Sequence, residues 1–391
     1  MRILHISDCF LPRAGGIEVT VSDLMRQQAA RGHEIALMTN TYARSDADRV
    51  NPMGAPHGSV SGGPPIRVDR PDGPALRARI RLIRAAIRRA ESGDYDVVHA
   101  HCSTFSPLAF ALVLRTMRKR HPVPTVITVH SLWRGYTLLY TFFDLVLSWA
   151  KLPMVWSAVS QCAADAVERA AVHPLKVEVL PNGIELGAWP TPGDHVPSHH
   201  VRLISVMRLA ARKRPRALIR MLRDVRNGLP DDTRITAVII GDGRWRRHLE
   251  RYARRHGMAD WVEITGHLPR DAVAERLRAA DVFLAPASLE SFGIAALEAH
   301  AAGLLVVGRT GTGLADYIDD GHDGRLVAND RDMVRAIIDV VQADAKDSAR
   351  RADRPAMEQF AWDEVTRRAE QIYALARTKV PLDAPEPARA G

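Results

Sequence analysis

The sequence predicts an α/β protein built from two Rossmann-like halves, and three observations carry that expectation. Short apolar runs alternate with amphipathic helical patterns along almost the whole chain. Continuously apolar strands separated by helices belong to parallel sheets covered on both faces. The alternation is interrupted once, at Pro181-Asn182-Gly183 and the proline-rich stretch 190–197, and then begins again. A chain of 391 residues has the length of two ordinary domains.

In the first half, strands are expected at residues 2–7, 34–39, 97–99, 125–129, 155–159 and 177–180. Helices are expected at 17–31, 76–91, 107–119, 137–151 and 162–171. Residues 44–74, rich in Gly, Pro, Asp and Arg, read as a long irregular excursion. The second half repeats the pattern, with strands at 202–207, 235–240, 262–265, 282–285 and 304–307 and helices between them. Beyond the last of these strands the chain reads as helical, and 362–377 has apolar positions at helical spacing. The expected organisation is an N-terminal domain over 1–185 and a C-terminal domain over 186–362. A crossover helix at 363–378, packing back toward the N-terminal domain, and a disordered tail at 379–391 complete it. Two such halves face one another across a cleft at the carboxyl ends of their strands, where open α/β sheets bind ligands.

Composition narrows the function. Hydrophobic residues make up 46% and charged residues 25%, which excludes a disordered or fibrous chain. Cys9, Cys102 and Cys162 form no CxxC pair, which argues against a disulfide framework or structural zinc and for a reducing compartment. A net charge of +9 calls for an anionic partner without saying which. The start lacks the apolar core of a secretion signal, and 136–156 is interrupted by Asp144, Lys151 and Pro153. The expectation is a cytosolic protein whose membrane contact, if any, is peripheral.

Several motifs fall at the ends of expected strands. Gly15-Gly16 follows the first strand and opens a helix, which suits either a plain βα turn or close approach of an anion. It is not the GxGxxG dinucleotide pattern. Arg208 and Lys213 follow the first strand of the second half and can neutralise two phosphates, unless they only furnish a solvated basic loop. Between Glu290 and Glu298 lies Ser291-Phe292-Gly293-Ile294. A helix beginning near Phe292 puts the two carboxylates two turns apart on one side, with N–H groups at Phe292, Gly293 and Ile294 free to meet a phosphate. Sugar hydroxyls supply the donors such carboxylates need. Each glutamate alone is equally a cap or a surface residue.

Together these features resemble the family-4 retaining glycosyltransferases. They are joined by Pro181-Asn182-Gly183-Ile184, Gly241-Asp242-Gly243 and Phe360-Ala361-Trp362, and the similarity runs from residue 1 to about 378. The resemblance implies a GT-B fold, a nucleotide-diphosphate sugar donor (GDP-mannose or a UDP-sugar), and hexosyl transfer with retention. It implies no metal and no cofactor. Arg208 and Lys213 would stabilise the leaving diphosphate, Glu298 would hold the ribose and Glu290 the donor sugar. Phe292, Gly293 and Ile294 would cradle sugar and phosphate, Gly15 and Gly16 would close over the diphosphate, and Gly266 and Leu268 would lie near the base. His130 fills the slot of a histidine that hydrogen-bonds the donor sugar as neutral imidazole. The acceptor, a hydroxyl on a lipid-linked, polysaccharide or small-molecule partner as in cell-envelope or glycoconjugate synthesis, stays open.

Some features fall outside that pattern. Arg212 and Arg214 flank Lys213 and add charge beside the expected phosphate site. His99 and His101 share a strand face with no third metal ligand in sequence, and read as lining or structural residues. The arginine-rich helix 76–89 reads first as an amphipathic helix on its sheet and second as a dock for anionic lipid. The apolar 136–156 reads first as core, because it sits between two strands, and second as aromatic anchoring beside such a dock. A nucleotide-sugar 2-epimerase of the same fold would need acid/base residues for proton abstraction, and a non-enzymatic nucleotide-sugar or anion binder is the remaining alternative. The basic residues are too dispersed for a nucleic-acid module.

Overall fold

The computed structural model describes residues 1–12, 15–43, 45, 64–71, 73, 75–116, 123–189, 200–343 and 357–380. The excursion at 44–74 lies largely outside the described residues, and so do the stretch 190–197 and the tail from 381 on. The chain divides into two compact units, Met1–Gly183 with Phe360–Gly391, and Ile184–Gln359.

Unit 1 is a seven-stranded parallel sheet in the order β3-β2-β1-β4-β5-β6-β7. Its strands are β1 (Arg2–Ser7), β2 (Glu34–Thr39), β3 (Arg67–Asp69), β4 (Val97–Cys102), β5 (Thr125–Val129), β6 (Val155–Ala158) and β7 (Val177–Val179). Helices α1 (Gly16–Ala30), α2 (Leu76–Ala90), α3 (Pro107–Thr116), α4 (Thr137–Leu147) and α5 (Gln161–Glu168) connect them. Leu82, Ala86, Leu108, Leu112, Tyr140 and Val167 cover one face of the sheet. The other face is covered by α1 and by the last helix of the chain, Trp362–Thr378, through Leu24, Met25, Val365, Ala369, Ile372 and Tyr373.

On that second face the side chains grade from apolar to polar along each strand. Ile3, Val97 and Val126 lie toward the amino ends. Two residues further, on the same side of the pleat, come His5, His99 and Thr128, and beyond them His101 and His130. All are buried. The register places His5 beside His99 and His101 beside Thr128.

Unit 2 is a six-stranded parallel sheet in the order β10-β9-β8-β11-β12-β13. The strands are β8 (His200–Val206), β9 (Arg234–Ile240), β10 (Val262–Gly266), β11 (Val282–Leu284), β12 (Leu305–Arg309) and β13 (Gly324–Val327). The helices are α6 (Pro215–Gly228), α7 (Arg246–Arg255), α8 (Arg270–Arg278), α9 (Ile294–Ala301) and α10 (Asp330–Gln342); Trp362–Thr378 of unit 1 is then α11. Its core joins Leu203, Leu218, Leu222, Ile239, Leu284, Val307 and Ile337.

Two expectations need correction here. The chain is not wholly helical beyond 307, because β13 adds a sixth strand, and β3 lies within the span expected to be irregular. Both are edge strands of three or four residues. An edge strand pairs on one side only and needs no long apolar run. The edges β7 and β10 keep apolar residues at alternate positions and are among the expected strands, whereas Arg67–Asp69 and Gly324–Val327 carry arginines and too short an apolar run to stand out. The second correction concerns 136–156. Of α4 only Tyr140 and Asp144 are buried, while Leu138, Phe142 and Leu145 are 86%, 58% and 67% exposed. The helix packs by one narrow stripe and turns the rest of its apolar surface outward. The arginine-rich α2, by contrast, buries Leu82, Ala86 and Ala90 as an ordinary amphipathic helix does.

Candidate functional site

In unit 2 the strand order reverses between β8 and β11, so the loops leaving those two strands flank the crevice of the sheet. The loop after β8 is held by Gly241-Asp242-Gly243. Met207 N–H donates to Ile240 O and Leu209 N–H to Asp242 O, both at 2.9 Å. A Cβ on Gly241 would stand 1.8 Å from Met207 O, so only glycine lets the two backbones run this close. Arg208 projects from this braced segment and is exposed. One 3₁₀ turn later, Ala211–Lys213, the Lys213 ammonium contacts a carboxylate oxygen of Glu290 from the loop after β11. The expected basic and acidic residues are thus brought together by the topology.

The Glu290 loop is built more elaborately than its sequence suggests. Gly293 has φ +89° and is the N-cap of α9, so the helix starts at Ile294 rather than near Phe292. Glu290 and Glu298 therefore do not share a helical face, and they take different partners. Glu298 accepts from Arg270 Nη2 at 3.1 Å, and the Arg270 guanidinium lies 5.9 Å from the Trp189 ring centre. The Tyr317 hydroxyl reaches the carbonyls of Phe292 at 3.0 Å and Gly293 at 2.9 Å, and burial pushes its pKa well up. Gly313 N–H donates to Glu290 O at 2.9 Å, and a Cβ on Gly313 would stand 2.2 Å from Ser291 O. Arg270, Tyr317 and Gly313 were invisible as site residues in the sequence, since their partners are assigned by the fold.

The charge of Arg214 does not add to that site. Its guanidinium makes a bidentate pair with Asp330 at 2.8 and 2.7 Å and donates to Pro286 O at 3.2 Å. Arg214 takes φ +59°, a left-handed conformation that costs a non-glycine residue about 1 kcal/mol. The double hydrogen bond to Asp330, which also contacts the buried Arg309, offsets that cost. Arg212 is exposed. Gly266, at the end of β10, has φ +79°, and the Arg246 guanidinium lies against it, 2.4 Å from where a Cβ would be. Leu268 is half-buried beyond it. A hollow of about 600 Å³ opens alongside, lined by Asp242, Gly243, Arg244, Arg246, Arg247 and Glu250.

In unit 1 the strand order reverses between β1 and β4. Gly15 caps α1, and Gly16 is its first residue. A Cβ on Gly15 would stand 2.3 Å from the Glu18 carboxylate, so the anion seated at this helix N-terminus is the helix's own first-turn glutamate. His130 follows β5, and its backbone N–H donates to Cys102 O at 2.8 Å. Its Nε2 lies 3.0 Å from His101 Nδ1. Burial lowers the His130 pKa to about 4, which keeps the ring neutral as expected of a hydrogen-bonding imidazole. The third ligand missing beside His99 and His101 is supplied by His5 from β1, with one nitrogen of each within 4.8 Å of the others. Both nitrogens of all three rings already have hydrogen-bond partners. The cluster is organised as a hydrogen-bond chain, not as an open ligand set.

Residues 14–188 match the family model described as Glycosyltransferase Family 4, and residues 196–356 match Glycosyl transferases group 1. A D-inositol 3-phosphate glycosyltransferase of Kribbella flavida is 30% identical over 342 residues, 80% of this chain and 79% of its own length. The chain belongs to glycosyltransferase family 4. A glycogen synthase of Mycobacterium tuberculosis is 28% identical, with 96% of this family-4 chain and 95% of its own length covered. Among solved structures, Anabaena HepE in complex with UDP and glucose superposes with a TM-score of 0.73. It is 16% identical, with 96% of this chain and 99% of HepE covered. The architecture is that of GT-B glycosyltransferases, two Rossmann-like units and a C-terminal helix.

Proposed function

We propose that this glycosyltransferase moves a hexosyl group, of mannose, glucose or N-acetylglucosamine type, from a nucleotide-diphosphate sugar to an acceptor hydroxyl. The anomeric configuration is retained, and no metal ion or cofactor takes part. The observation that carries this reading is the Lys213–Glu290 contact at the switch point of unit 2, beside the exposed Arg208. A cation and a carboxylate that neutralise each other there are a preformed receptor for a group that is itself half anion and half polyol. Lys213 turns to the diphosphate together with Arg208, and the freed Glu290 carboxylate accepts hydrogen bonds from the sugar. In the reaction the bond from the anomeric carbon to the diphosphate oxygen breaks, and the acceptor oxygen bonds to the same face. The acceptor's proton passes to the leaving phosphate.

The remaining roles follow the same chemistry. Glu298, steadied by Arg270, accepts from the ribose hydroxyls, and the Phe292–Ile294 backbone, braced by Tyr317, meets sugar and phosphate. His130 accepts from a donor-sugar hydroxyl. Uracil stands first among the donor bases because HepE was solved with UDP, and an inositol phosphate heads the acceptor panel because the Kribbella flavida relative is a D-inositol 3-phosphate glycosyltransferase. The membrane contact we assign to α4 rather than α2 alone. Tyr136, Leu138, Phe142, Leu145 and Val146 are exposed there, and Phe105 extends the patch by meeting Tyr136 edge to face. Arg134 and Lys151 stand exposed at the two ends of the segment, as an anionic lipid surface requires.

The test is a panel of nucleotide sugars offered to the purified protein with and without acceptors, in chelator, with the product anomer read by NMR. One preferred donor and an unchanged anomeric configuration are expected. Failure to hydrolyse or transfer from any nucleotide sugar would overturn the proposal.

A further inference from the structure

A continuous run of hydrogen bonds crosses the buried face of unit 1 beneath α1 and α11, and the transfer reaction does not by itself call for it. At one end Ser157 Oγ donates to the Ile127 carbonyl at 3.4 Å, and Thr128 Oγ1 lies 2.6 Å from Ser157 Oγ. His99 Nε2 is 2.6 Å from Thr128 Oγ1, and its Nδ1 is 2.8 Å from the Tyr373 hydroxyl. Gln28 Nε2 donates to that hydroxyl at 2.7 Å, while Gln28 Oε1 accepts from His5 Nε2 at 2.8 Å. His5 Nδ1 and His101 Nε2 are 2.9 Å apart, and His101 Nδ1 and His130 Nε2 are 3.0 Å apart. No member of the run is more than 7% exposed.

Counting protons along the run gives its direction. Either hydroxyl of the Ser157–Thr128 pair can donate, and the order in which Ile127 O also receives a proton has Ser157 donating to that carbonyl and Thr128 donating to Ser157. Thr128 Oγ1 then accepts from His99 Nε2–H. A neutral imidazole has one N–H, which leaves His99 Nδ1 to accept from Tyr373. The Tyr373 oxygen accepts from the Gln28 amide, and the Gln28 carbonyl accepts from His5 Nε2–H. By the same rule His101 donates through Nε2 to His5, and His130 donates through Nε2 to His101. Burial keeps these rings neutral: His5 is lowered to about 4, and His99 and His101 lie well below the usual histidine range.

We infer that this chain fixes the tautomer of His130, with Gln28 and Tyr373 as positioning residues that leave Nδ1 unprotonated as a hydrogen-bond acceptor. The reversed order would take the Ser157 proton from the Ile127 carbonyl and turn the Gln28 amide over. Tyr373 comes from α11, some 240 residues beyond His130 along the chain, so the last helix sets the chemistry of a residue at the end of β5. Only the kinetic consequence rests on the reading that His130 meets the donor sugar.

The experiment is nitrogen-15 NMR of histidine-labelled full-length protein at neutral pH, with His130 assigned by its loss in His130→Gln. Wild type should show His130 protonated at Nε2 alone. In Tyr373→Phe the Gln28 amide is free to turn, and both tautomers of His130 should appear. The kcat for donor turnover should then fall by up to about half, the share of molecules that passes to the wrong tautomer once the bias of one hydrogen bond is gone, with donor KM unchanged. Gln28→Met breaks the run at the next link and serves if Tyr373→Phe does not fold. Protonation at Nδ1 in wild type, or a single unchanged tautomer in the folded variants, would overturn the inference. A tautomer shift with unchanged kcat upholds the chain and removes His130 from the donor site instead.

Discussion

Lys213 and Glu290 neutralise one another, so removing either does more than delete one charge. Lys213→Ala leaves the Glu290 carboxylate facing the place where a diphosphate would sit. The donor KM should therefore rise by about tenfold or more, beyond what one lost cation explains. Glu290→Gln keeps the shape and leaves the lysine free for phosphate. Its donor KM should stay near wild type while kcat falls by about a hundredfold, as loss of a contact made at the reacting sugar would do. Steady-state kinetics with the preferred donor separates the two, and a KM defect in Glu290→Gln with normal kcat would contradict the role given to Glu290. These residues were legible in the sequence because their chemistry is declared by type and by position after a strand. Arg214 was legible only as surplus charge, since its partner Asp330 lies 116 residues away. Glu298 likewise gave no hint of Arg270, 28 residues before it.

At the scale of elements, most interior strands could be read to within two residues from their apolar runs, while β4, expected over 97–99, runs on to Cys102 because the buried His99 and His101 break its apolar pattern. The edge strands β3 and β13 could not, and neither could the start of α9, which a left-handed glycine delays to Ile294. α4 was misread for a related reason: periodicity reports how apolar a helix is, not whether anything covers it. Its only acidic residue, Asp144, is buried and accepts from the N–H groups of Ala150 at 2.9 Å and Val172 at 2.7 Å, so the outer face carries no charge. On α2, Arg77, Arg79, Arg81, Arg84 and Arg88 are exposed. If both helices meet a membrane, vesicles of anionic lipid should bind the protein with two separable components. The arginine component should fade as salt rises, and an apolar component should persist. Leu138→Glu with Phe142→Glu should remove the salt-resistant part and weaken binding by about tenfold or more, each large side chain contributing about 2 kcal/mol when buried. Sedimentation with vesicles measures this. Unchanged binding by the double variant would show that α4 does not touch lipid.

For the molecule as a whole, a line of neutral histidines within unit 1 makes stability a function of pH. Unfolded, each would titrate near 6.5; folded, burial lowers His5 and His130 to about 4 and moves His99 and His101 down as well. A group whose folded pKa is depressed binds fewer protons folded than unfolded between the two values. Its contribution is complete above about pH 6.5 and is lost as pH falls from there toward 4. Asp8 works the other way: burial raises it to about 6, against the hydrogen bonds from Asn40 and Leu108, so the folded chain takes up its proton first. Near pH 5, four histidines against one carboxyl leave unfolding to take up about two to three protons. That is a slope of about 3 kcal/mol per pH unit. The two units need not unfold together, so a single melting temperature is a poor probe. Hydrogen exchange at the β4 and β5 amides, corrected for intrinsic rates, reads unit 1 directly. Protection there should change little from pH 8 to 7 and collapse steeply between pH 6.5 and 5. Replacing His5 with Gln, which keeps a donor and an acceptor without a titrating ring, should flatten the slope by about one proton. Protection that stays level from pH 7 to pH 5 would mean that these rings are hydrated or charged in the folded protein.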